Sequence, residues 1–163
     1  MRRYQRTMLP SPKLAIFPLL IAFAMPAAAQ ERDVPYWASV RVDELNMRVG
    51  PSESYRISWV YHRKKLPLKV LRLKEGWRLV EDPDGARGWV VARFLVPKRT
   101  AIVRGKGLAD MREKANGNAR LLWRLEPGVV GGLGDCDSGW CKFDVDGHGG
   151  FVRQDRLWGA GKP

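Results

Sequence analysis

The clearest chemistry in this sequence belongs to two cysteines, Cys136 and Cys141, which bracket the turn-forming stretch Asp137 to Trp140. Residues that face each other across a hairpin can reach the Cα separation of about 4.4–6.8 Å that a disulfide needs. The chain contains two cysteines in total, and two cysteines in an oxidising compartment favour a bond between them. The sequence therefore predicts a disulfide that joins Cys136 to Cys141.

Metal binding and nucleophilic catalysis are the alternatives for these side chains. A zinc site needs more ligands than two cysteines and His148 provide, and a bonded sulfur is no nucleophile. Asp144 and Asp155 have the spacing of the two ends of an EF-hand calcium loop, but His148 takes its fifth position and no helical pattern flanks it. We therefore expect a plain hairpin turn after Asp144, with no metal and no cofactor.

A cluster of basic residues, His62 to Lys65, follows an aromatic-rich segment. Arginine can pair in a bidentate way with carboxylates, and both arginine and lysine can bind to the faces of aromatic rings. Two interpretations stay open: a solvated charged loop, or a basic rim around an aromatic floor that binds an anion. In the second interpretation the ligand-binding residues are Arg48, Tyr55, Trp59, Tyr61, Arg63, Lys64 and Lys65.

The sequence assigns only some of the aromatic residues to the core or to the surface. Trp59 and Tyr61 share one face of a strand, and since one face must enter the core, the pattern does not place both in a groove. Tyr55, just after a Gly-Pro turn, is the best groove candidate, whereas Arg48 suits a structural ion pair as well as a ligand contact. Four aromatic residues beside glycine are expected in the core: Trp77, Trp89, Trp140 and Phe151.

The whole chain has a net charge of +12, and the positive charge is concentrated in one half of it. Residues 41–100 carry 14 Lys and Arg against 7 Asp and Glu, whereas residues 101–163 carry 10 against 8. Because excess positive charge attracts anions, we expect any anion-binding role in the first of these segments. Neither segment shows paired catalytic carboxylates, a Ser–His pair in a suitable context or a phosphate loop, so the sequence disfavours an enzyme.

Short strands separated by turn signals must position these residues. Alternating or β-branched stretches predict strands at 46–49, 57–61, 68–73, 77–80 and 88–91. The segment Asp82 to Gly85 has the Pro-Asp-Gly chemistry of a tight hairpin. No segment sustains a helical period over three turns, although 93–95 and 153–157 suit single 3₁₀ turns. The chain is therefore predicted to be all-β, built as small barrels or a sandwich.

The strand pattern occurs twice at a nearly constant offset. Met47-Arg48 lies 64 positions before Met111-Arg112, Gly76-Trp77 lies 63 before Gly139-Trp140, and Gly88-Trp89 lies 62 before Gly150-Phe151. A constant offset indicates two copies of one small unit. We place the copies at 38–97 and 100–160, as separate barrels joined around 97–100, with 30–37 as a short N-terminal segment.

The first 29 residues have the pattern of a secretory signal peptide. Arg2, Arg3, Arg6 and Lys13 form a basic region, and an apolar stretch over 14–25 precedes the small residues 27–29. That stretch is shorter than the roughly 20 residues that span a bilayer, which favours a cleaved signal over a retained anchor. We therefore expect cleavage after Ala29, no membrane span, and a periplasmic or secreted protein.

Several motifs, in the same order, resemble those of bacterial SH3-like domains. They are Leu45-Asn46-Met47-Arg48 before a Gly-Pro turn, Trp59-Val60-Tyr61, Gly76-Trp77, the Asp82 to Gly85 turn, and Gly88-Trp89-Val90. The doubled form, with cysteines around the second Gly-Trp pair and a closing Leu157-Trp158-Gly159, resembles the exported tandem bacterial SH3 family over about residues 38–160. The resemblance implies two barrels of five or six strands each and non-catalytic binding or targeting, often of cell-wall peptides.

Two functional classes remain after these observations. The favoured class is a binding module for peptidoglycan stem peptide or another anionic envelope ligand, recognised by the basic first copy. The alternative is an envelope protein–protein interaction or assembly factor, in which an exposed strand edge accepts a strand from a partner. A basic aromatic barrel also suits single-stranded nucleic acid, but export from the cytoplasm argues against that partner.

Overall fold

The computed structural model describes residues 33–163, so the predicted signal peptide lies outside the described residues. Within the described part the chain is all-β, as predicted, with strands and two 3₁₀ turns and without an α-helix. The first sheet contains β1 (Tyr36–Val40), β2 (Leu45–Arg48), β3 (Ile57–Tyr61), β4 (Pro67–Lys74), β5 (Trp77–Glu81), β6 (Arg87–Val91) and β7 (Leu95–Val96). The second contains β8 (Thr100–Val103), β9 (Ala109–Arg112), β10 (Leu121–Leu125), β11 (Val130–Asp137), β12 (Trp140–Val145), β13 (His148–Arg153) and β14 (Leu157–Trp158).

The two sheets have the same topology, which confirms the repeat. The strand order is β3-β2-β6-β5-β4-β1-β7 in the first sheet and β10-β9-β13-β12-β11-β8-β14 in the second. All pairings are antiparallel. Each sheet has seven strands rather than the five or six that the resemblance implied, because β1 and β8 each pair with a two-residue closing strand. We call these sheets the first barrel and the second barrel.

Alternation of side chains along the strands builds a core in each barrel. In β4, Leu68 and Val70 are fully buried, whereas Lys69 between them is only partly covered. The first core includes Leu45, Met47, Leu68, Val70, Val80 and Val90. The second includes Ala101, Val103, Met111, Cys141, Phe143 and Val152. Because each strand sends alternate residues inward, its other residues form an outer face that is open to ligands.

The β5–β6 hairpin shows how the sequence sets a turn at the predicted place. The buried Asp82 carboxylate accepts hydrogen bonds from the backbone N–H groups of Asp84 and Ala86, at 2.9 and 2.8 Å. Gly85 has a φ of +86°, which glycine adopts without the steric cost that a Cβ adds. The turn is therefore held by a side chain of its own first residue, as expected of Asp in such turns.

The predicted disulfide is confirmed. Cys136 and Cys141 are bonded, and their residues are direct partners across β11 and β12. Cys141 is fully buried in the second core, whereas Cys136 packs against the edge of that core. The bond therefore closes the end of one hairpin of the second barrel.

The barrels are in direct contact. Ile102 of β8 is a member of the first core, and Trp158 of β14 packs against that core. The ring of Trp37 in β1 meets that of Trp158 edge to face at 4.7 Å between centroids. The Trp37 indole N–H also donates to the carbonyl of Gly161, at 3.1 Å. Apolar burial therefore continues from one barrel into the other.

Candidate functional site

The predicted ligand-binding residues fall into three places, and the first is the segment between β2 and β3. The guanidinium of Arg48 donates a hydrogen bond to the backbone carbonyl of Tyr55, at 2.6 Å. Tyr55 is 47% exposed, and its ring lies over Gly50, where an added Cβ would come within 2.5 Å of the ring. Arg48 thus positions the backbone of this segment, and the Tyr55 ring remains available at the surface.

Strand β3 carries Trp59 and Tyr61 into different environments. Trp59 is 59% exposed, whereas Tyr61 is 7% exposed and belongs to the first core. Strand β3 lies at the edge of the sheet, and its register with β2 shifts near Trp59. Of the two aromatic residues that the strand pattern placed together, only Trp59 therefore presents its ring to solvent.

The hydroxyl of Tyr61 is part of the buried turn described above. It donates to Asp82 Oδ2 at 2.8 Å. Burial raises the pKa of Tyr61 well above its usual value, and the hydrogen bond to the Asp82 carboxylate raises it further. Tyr61 therefore stays neutral and joins β3 to the β5–β6 hairpin.

The basic loop, His62 to Lys65, bridges the two barrels. Arg63 donates to the carbonyl of Gly128 at 2.9 Å, and Lys65 pairs with Asp146 of the second barrel at 3.0 Å. Lys64 pairs instead with Asp43 of its own barrel at 2.9 Å. Part of the loop's function is therefore structural, because two of its cations contact the second barrel.

An interbarrel cleft of about 850 Å³ brings together three of the predicted residues, Trp59, Tyr61 and Arg63. The first barrel also contributes His62 and the Asp82 to Ala86 turn. The second barrel supplies Ile102 to Gly105, together with Pro127 and Gly128. Sequence reasoning missed this second wall, because nothing in the repeat indicates which surfaces of the two copies meet.

Charges in the interbarrel cleft are mostly paired. Arg104 of the second barrel pairs with Asp84 of the first at 2.8 Å, and Asp82 is satisfied by the Tyr61 hydroxyl and the turn N–H groups. Arg63 makes a hydrogen bond to a backbone carbonyl, and no carboxylate pairs with it among residues 33–163. Its positive charge is therefore available to an anion beside the exposed Trp59 ring.

The four aromatic residues expected in the core are not there. Trp77, Trp89, Trp140 and Phe151 are all half-buried, and none belongs to either core. For Trp89 and Phe151 the prediction failed because the preceding glycine takes the inward position: an added Cβ at Gly88 would meet Met47 at 2.5 Å, and one at Gly150 would meet Met111 at the same distance. Trp77 and Trp140 instead follow exposed turn glycines and alternate with the buried Val80 and Cys141 along their strands. The aromatic side chains therefore lie on the outer faces of the sheets.

Residues 33–163 contain no group of three or more His, Cys, Asp and Glu side chains placed to hold a metal ion. In the same range, no helix has the length and apolar character that crossing a membrane requires.

A comparison with protein families identifies the class. The model of the bacterial SH3 domain matches twice in tandem, at residues 41–96 and 105–159. These matches cover most of the chain, so the protein belongs to the bacterial SH3 domain family. Both the resemblance read from the motifs and the all-β fold class are thereby confirmed.

Individual relatives are more distant. The chain is 26% identical over 157 residues to the putative N-acetylmuramoyl-L-alanine amidase YrvJ of Bacillus subtilis (strain 168). The match covers 90% of this chain but only 29% of that protein. Among solved structures, NlpC2 of Trichomonas vaginalis matches 78% of this chain and 49% of its own, with a TM-score of 0.35 and 10% identity. NlpC1 of the same organism matches 85% and 50%, with a TM-score of 0.34 and 10% identity.

Proposed function

We propose that this protein is a non-catalytic module of the cell envelope that binds a carboxylate-bearing cell-wall peptide in its interbarrel cleft. The observation that carries the proposal is that one cleft is lined both by the exposed Trp59 ring and by Arg63, and Arg63 has no carboxylate partner in the described structure. A ring offers an apolar face, and a guanidinium offers paired donors for a carboxylate. The two together match one end of a peptide.

The relative YrvJ supports the cell-wall part of the proposal. Its name describes a putative N-acetylmuramoyl-L-alanine amidase, and this chain spans only 29% of that protein. Function depends on the residues of a site rather than on the fold, and the interbarrel cleft offers groups suited to binding. We therefore place the present chain outside the cytoplasm, in the periplasm or secreted, with no reaction of its own.

The residues of the proposed site have different functions in it. Trp59 and Arg63 contact the ligand, and Tyr61 supports the floor through Asp82. Lys64 and Lys65, which are paired with Asp43 and Asp146, hold the basic loop in place and do not line the cleft. Arg48 and Tyr55 form a separate exposed patch, which we propose as a secondary contact for a longer ligand.

Retention on purified peptidoglycan tests this function. Wild-type protein should sediment with the peptidoglycan at low salt and be released at high salt, because the Debye length falls from about 10 Å at 0.1 M to about 3 Å at 1 M. Trp59→Ala should weaken retention about tenfold or more, since losing an aromatic platform at a binding centre costs at least about 1.4 kcal/mol.

The chain offers a matched control for that variant. Trp123 of β10 is 50% exposed at the position equivalent to Trp59, but it does not line the interbarrel cleft. Trp123→Ala should therefore be retained like wild type, and Tyr55→Ala should show only a small loss. Equal losses in Trp59→Ala and Trp123→Ala would contradict the cleft, and absence of wild-type retention would contradict the cell-wall ligand.

The alternative of a protein partner also has a specific observation in its favour. Strands β3 and β10 lie at the edges of their sheets, and both expose apolar side chains outward: Ile57, Trp59, Leu121 and Trp123. Exposed apolar edge strands are suited to pairing with a strand from another chain. A protein that fails to sediment with peptidoglycan would make this interaction the better proposal.

A further inference from the structure

The outer faces of the two barrels differ at one row of residues. In the first barrel, Lys69, Glu81 and Arg87 are neighbours across β4, β5 and β6. Glu81 accepts from the Lys69 ammonium at 2.7 Å and from the Arg87 guanidinium at 2.6 Å. The two cationic side chains thus cover the sheet on either side of the carboxylate and neutralise it.

In the second barrel both cationic side chains are replaced by glycine. The equivalent row is Gly132, Asp144 and Gly149, paired in the same way across β11, β12 and β13. The acidic residue is retained, but no cation pairs with it among residues 33–163. Asp144 Oδ1 accepts a hydrogen bond from the backbone N–H of Gly147 at 3.1 Å. Its charge and its second oxygen are therefore turned toward the open face of the sheet.

A groove occupies the space that those two side chains fill in the first barrel. This outer groove has a volume of about 590 Å³ and is lined by Lys98, Arg99, Glu113, Lys142, Asp144 and Phe151, with glycines on its floor. Glu113 is paired with Arg120 at 3.0 Å, and Arg99 donates to the carbonyls of Gly159 and Gly161. Asp144 is its acidic residue without an ion pair in the described chain. Its basic residues without one are Lys98, Arg99 and Lys142, of which Lys142 lies on the same strand as Asp144.

The next row of the same face also differs between the two barrels. Lys142 is exposed and lies beside Phe151, which is half-buried. In the first barrel the same positions hold Leu79 and Trp89, which are apolar. Lys142 and Asp144 are two positions apart on β12 and on one face, which separates their Cα atoms by about 6.6 Å.

We propose that the outer groove binds a small zwitterionic peptide of about two residues, with its ammonium at Asp144, its carboxylate at Lys142 and a side chain against Phe151. A two-residue segment spans at most about 7 Å, which is close to the Cα separation of Lys142 and Asp144, and the flexible Lys142 side chain can adjust to the ligand's carboxylate. Charge complementarity therefore selects a ligand that carries both charges over one that carries either alone. The inference concerns the second barrel and does not depend on the interbarrel cleft.

The ion-pair row of the first barrel shows how to design a variant that fills the outer groove. A Cβ added at Gly132 would lie 3.9 Å from its nearest neighbour, and one at Gly149 would lie 3.6 Å from Asp144 Oδ2, so both positions accept a side chain. The double variant Gly132→Lys, Gly149→Arg copies the Lys69, Glu81 and Arg87 row of the first barrel. It should fill the outer groove and neutralise Asp144 while the barrel stays folded.

Titration of the full chain with alanylalanine, followed by NMR, tests the proposal. We expect saturable shifts at Lys142, Asp144 and Phe151, and binding at least about tenfold weaker for the N-acetylated and the C-amidated dipeptides, because each lacks one charge-assisted hydrogen bond. No saturable shift at these residues, or equal binding of a blocked dipeptide, would overturn the proposal.

Two variants and a control complete the experiment. Asp144→Asn keeps the acceptor for Gly147 but loses the charge, so it should bind alanylalanine about tenfold more weakly, and the double variant should not bind. Gly117→Arg places the same new side chain at an exposed glycine with no atom within 4 Å of an added Cβ and outside the groove lining, so it should bind like wild type. Undiminished binding by Asp144→Asn would refute the role of Asp144 even if the double variant fails to fold.

Discussion

At the scale of single residues, the adjacent carboxylates of Glu81 and Asp82 have different structural roles. Asp82 is 6% exposed and points inward, where a tyrosine hydroxyl and two backbone N–H groups satisfy it. Glu81 lies on the outer face between two cations. The alternation of a strand thus places one acid in a turn, where uncharged donors bind it, and the other in an ion-pair row.

Removing the Tyr61 hydroxyl should destabilise the first barrel. Tyr61→Phe leaves Asp82 Oδ2 without its donor in a buried place, and an unsatisfied buried acceptor costs about 1–3 kcal/mol. Urea unfolding should show that loss. Tyr55→Phe is the matched control, because Tyr55 is 47% exposed and should change stability by less than about 0.5 kcal/mol. Equal effects of the two substitutions would contradict the role of the buried hydrogen bond.

Glu81 should contribute a pH-dependent part of the stability. Hydrogen bonds from Lys69 and Arg87 lower the pKa of Glu81 below its ordinary value near 4.5, although partial burial opposes them. Because the folded pKa is depressed, the stabilisation is present above the unfolded pKa and is lost as pH falls through the folded pKa.

Urea unfolding at pH 7 and pH 3 should therefore show Glu81→Gln less stable than wild type at pH 7, with a smaller difference at pH 3. Glu113→Gln is the control, because its lowered pKa comes from an exposed pair with Arg120, which salt and water screen. A difference for Glu81→Gln that does not shrink at pH 3 would argue against the ion-pair row.

At the scale of elements, the β11–β12 hairpin is the one whose two strands are joined by a disulfide. Its cysteines are five residues apart in sequence and opposite each other in the sheet. A disulfide stabilises mainly by restricting the unfolded chain, and the restriction is smaller for short loops. Its effect is therefore expected to be local to the second barrel.

Replacing both cysteines by serine should cost about 2 kcal/mol, from the loop-entropy relation for so short a loop. Amide hydrogen exchange should accelerate in β11 and β12 more than in β4 and β5, the equivalent hairpin without a disulfide. Uniform acceleration across both barrels would show that the bond stabilises the whole molecule instead. Free-thiol titration of the wild-type protein should find no reactive cysteine.

At the scale of the whole molecule, contacts between the barrels create features that neither copy contains alone. The interbarrel cleft has one wall from each copy, and its edges are joined by the pairs Arg63–Gly128 and Arg104–Asp84. Deeper contacts hold the junction as well, because the Ser39 hydroxyl bonds with Thr100 and with the carbonyl of Lys98. The division into domains at 38–97 and 100–160 stays a prediction, and the contacts give it a test.

Loss of the Trp158 side chain should destabilise both barrels. Trp158 of the second barrel packs on the first core and on Trp37, so Trp158→Ala removes contacts that both barrels use. Because Trp158 is half-buried, its loss should cost less than the about 3–5 kcal/mol expected for a fully buried tryptophan. Hydrogen exchange should show comparable losses of protection in β4 and β11. Losses confined to one barrel, or two separate urea transitions in wild type, would show that the domains are independent.

Much of the architecture follows from the sequence alone. The repeat offset predicted two copies, Asp82 to Gly85 predicted a hairpin, and the strand at 57–61 was placed at the bounds that the structure has. Cys136 and Cys141 were predicted as a bonded pair. These features depend on residues close to one another in the chain, where alternation and turn preferences act directly.

Only the tertiary structure decided which residues meet at a site. Alternation placed Trp59 and Tyr61 on one face but did not show that the edge strand exposes the first and buries the second. The outward positions of Trp89 and Phe151 depend on the close approach of Gly88 and Gly150 to a methionine. The interbarrel cleft and the outer groove arise from packing between distant segments, which local sequence patterns do not encode because they carry no information about long-range pairing.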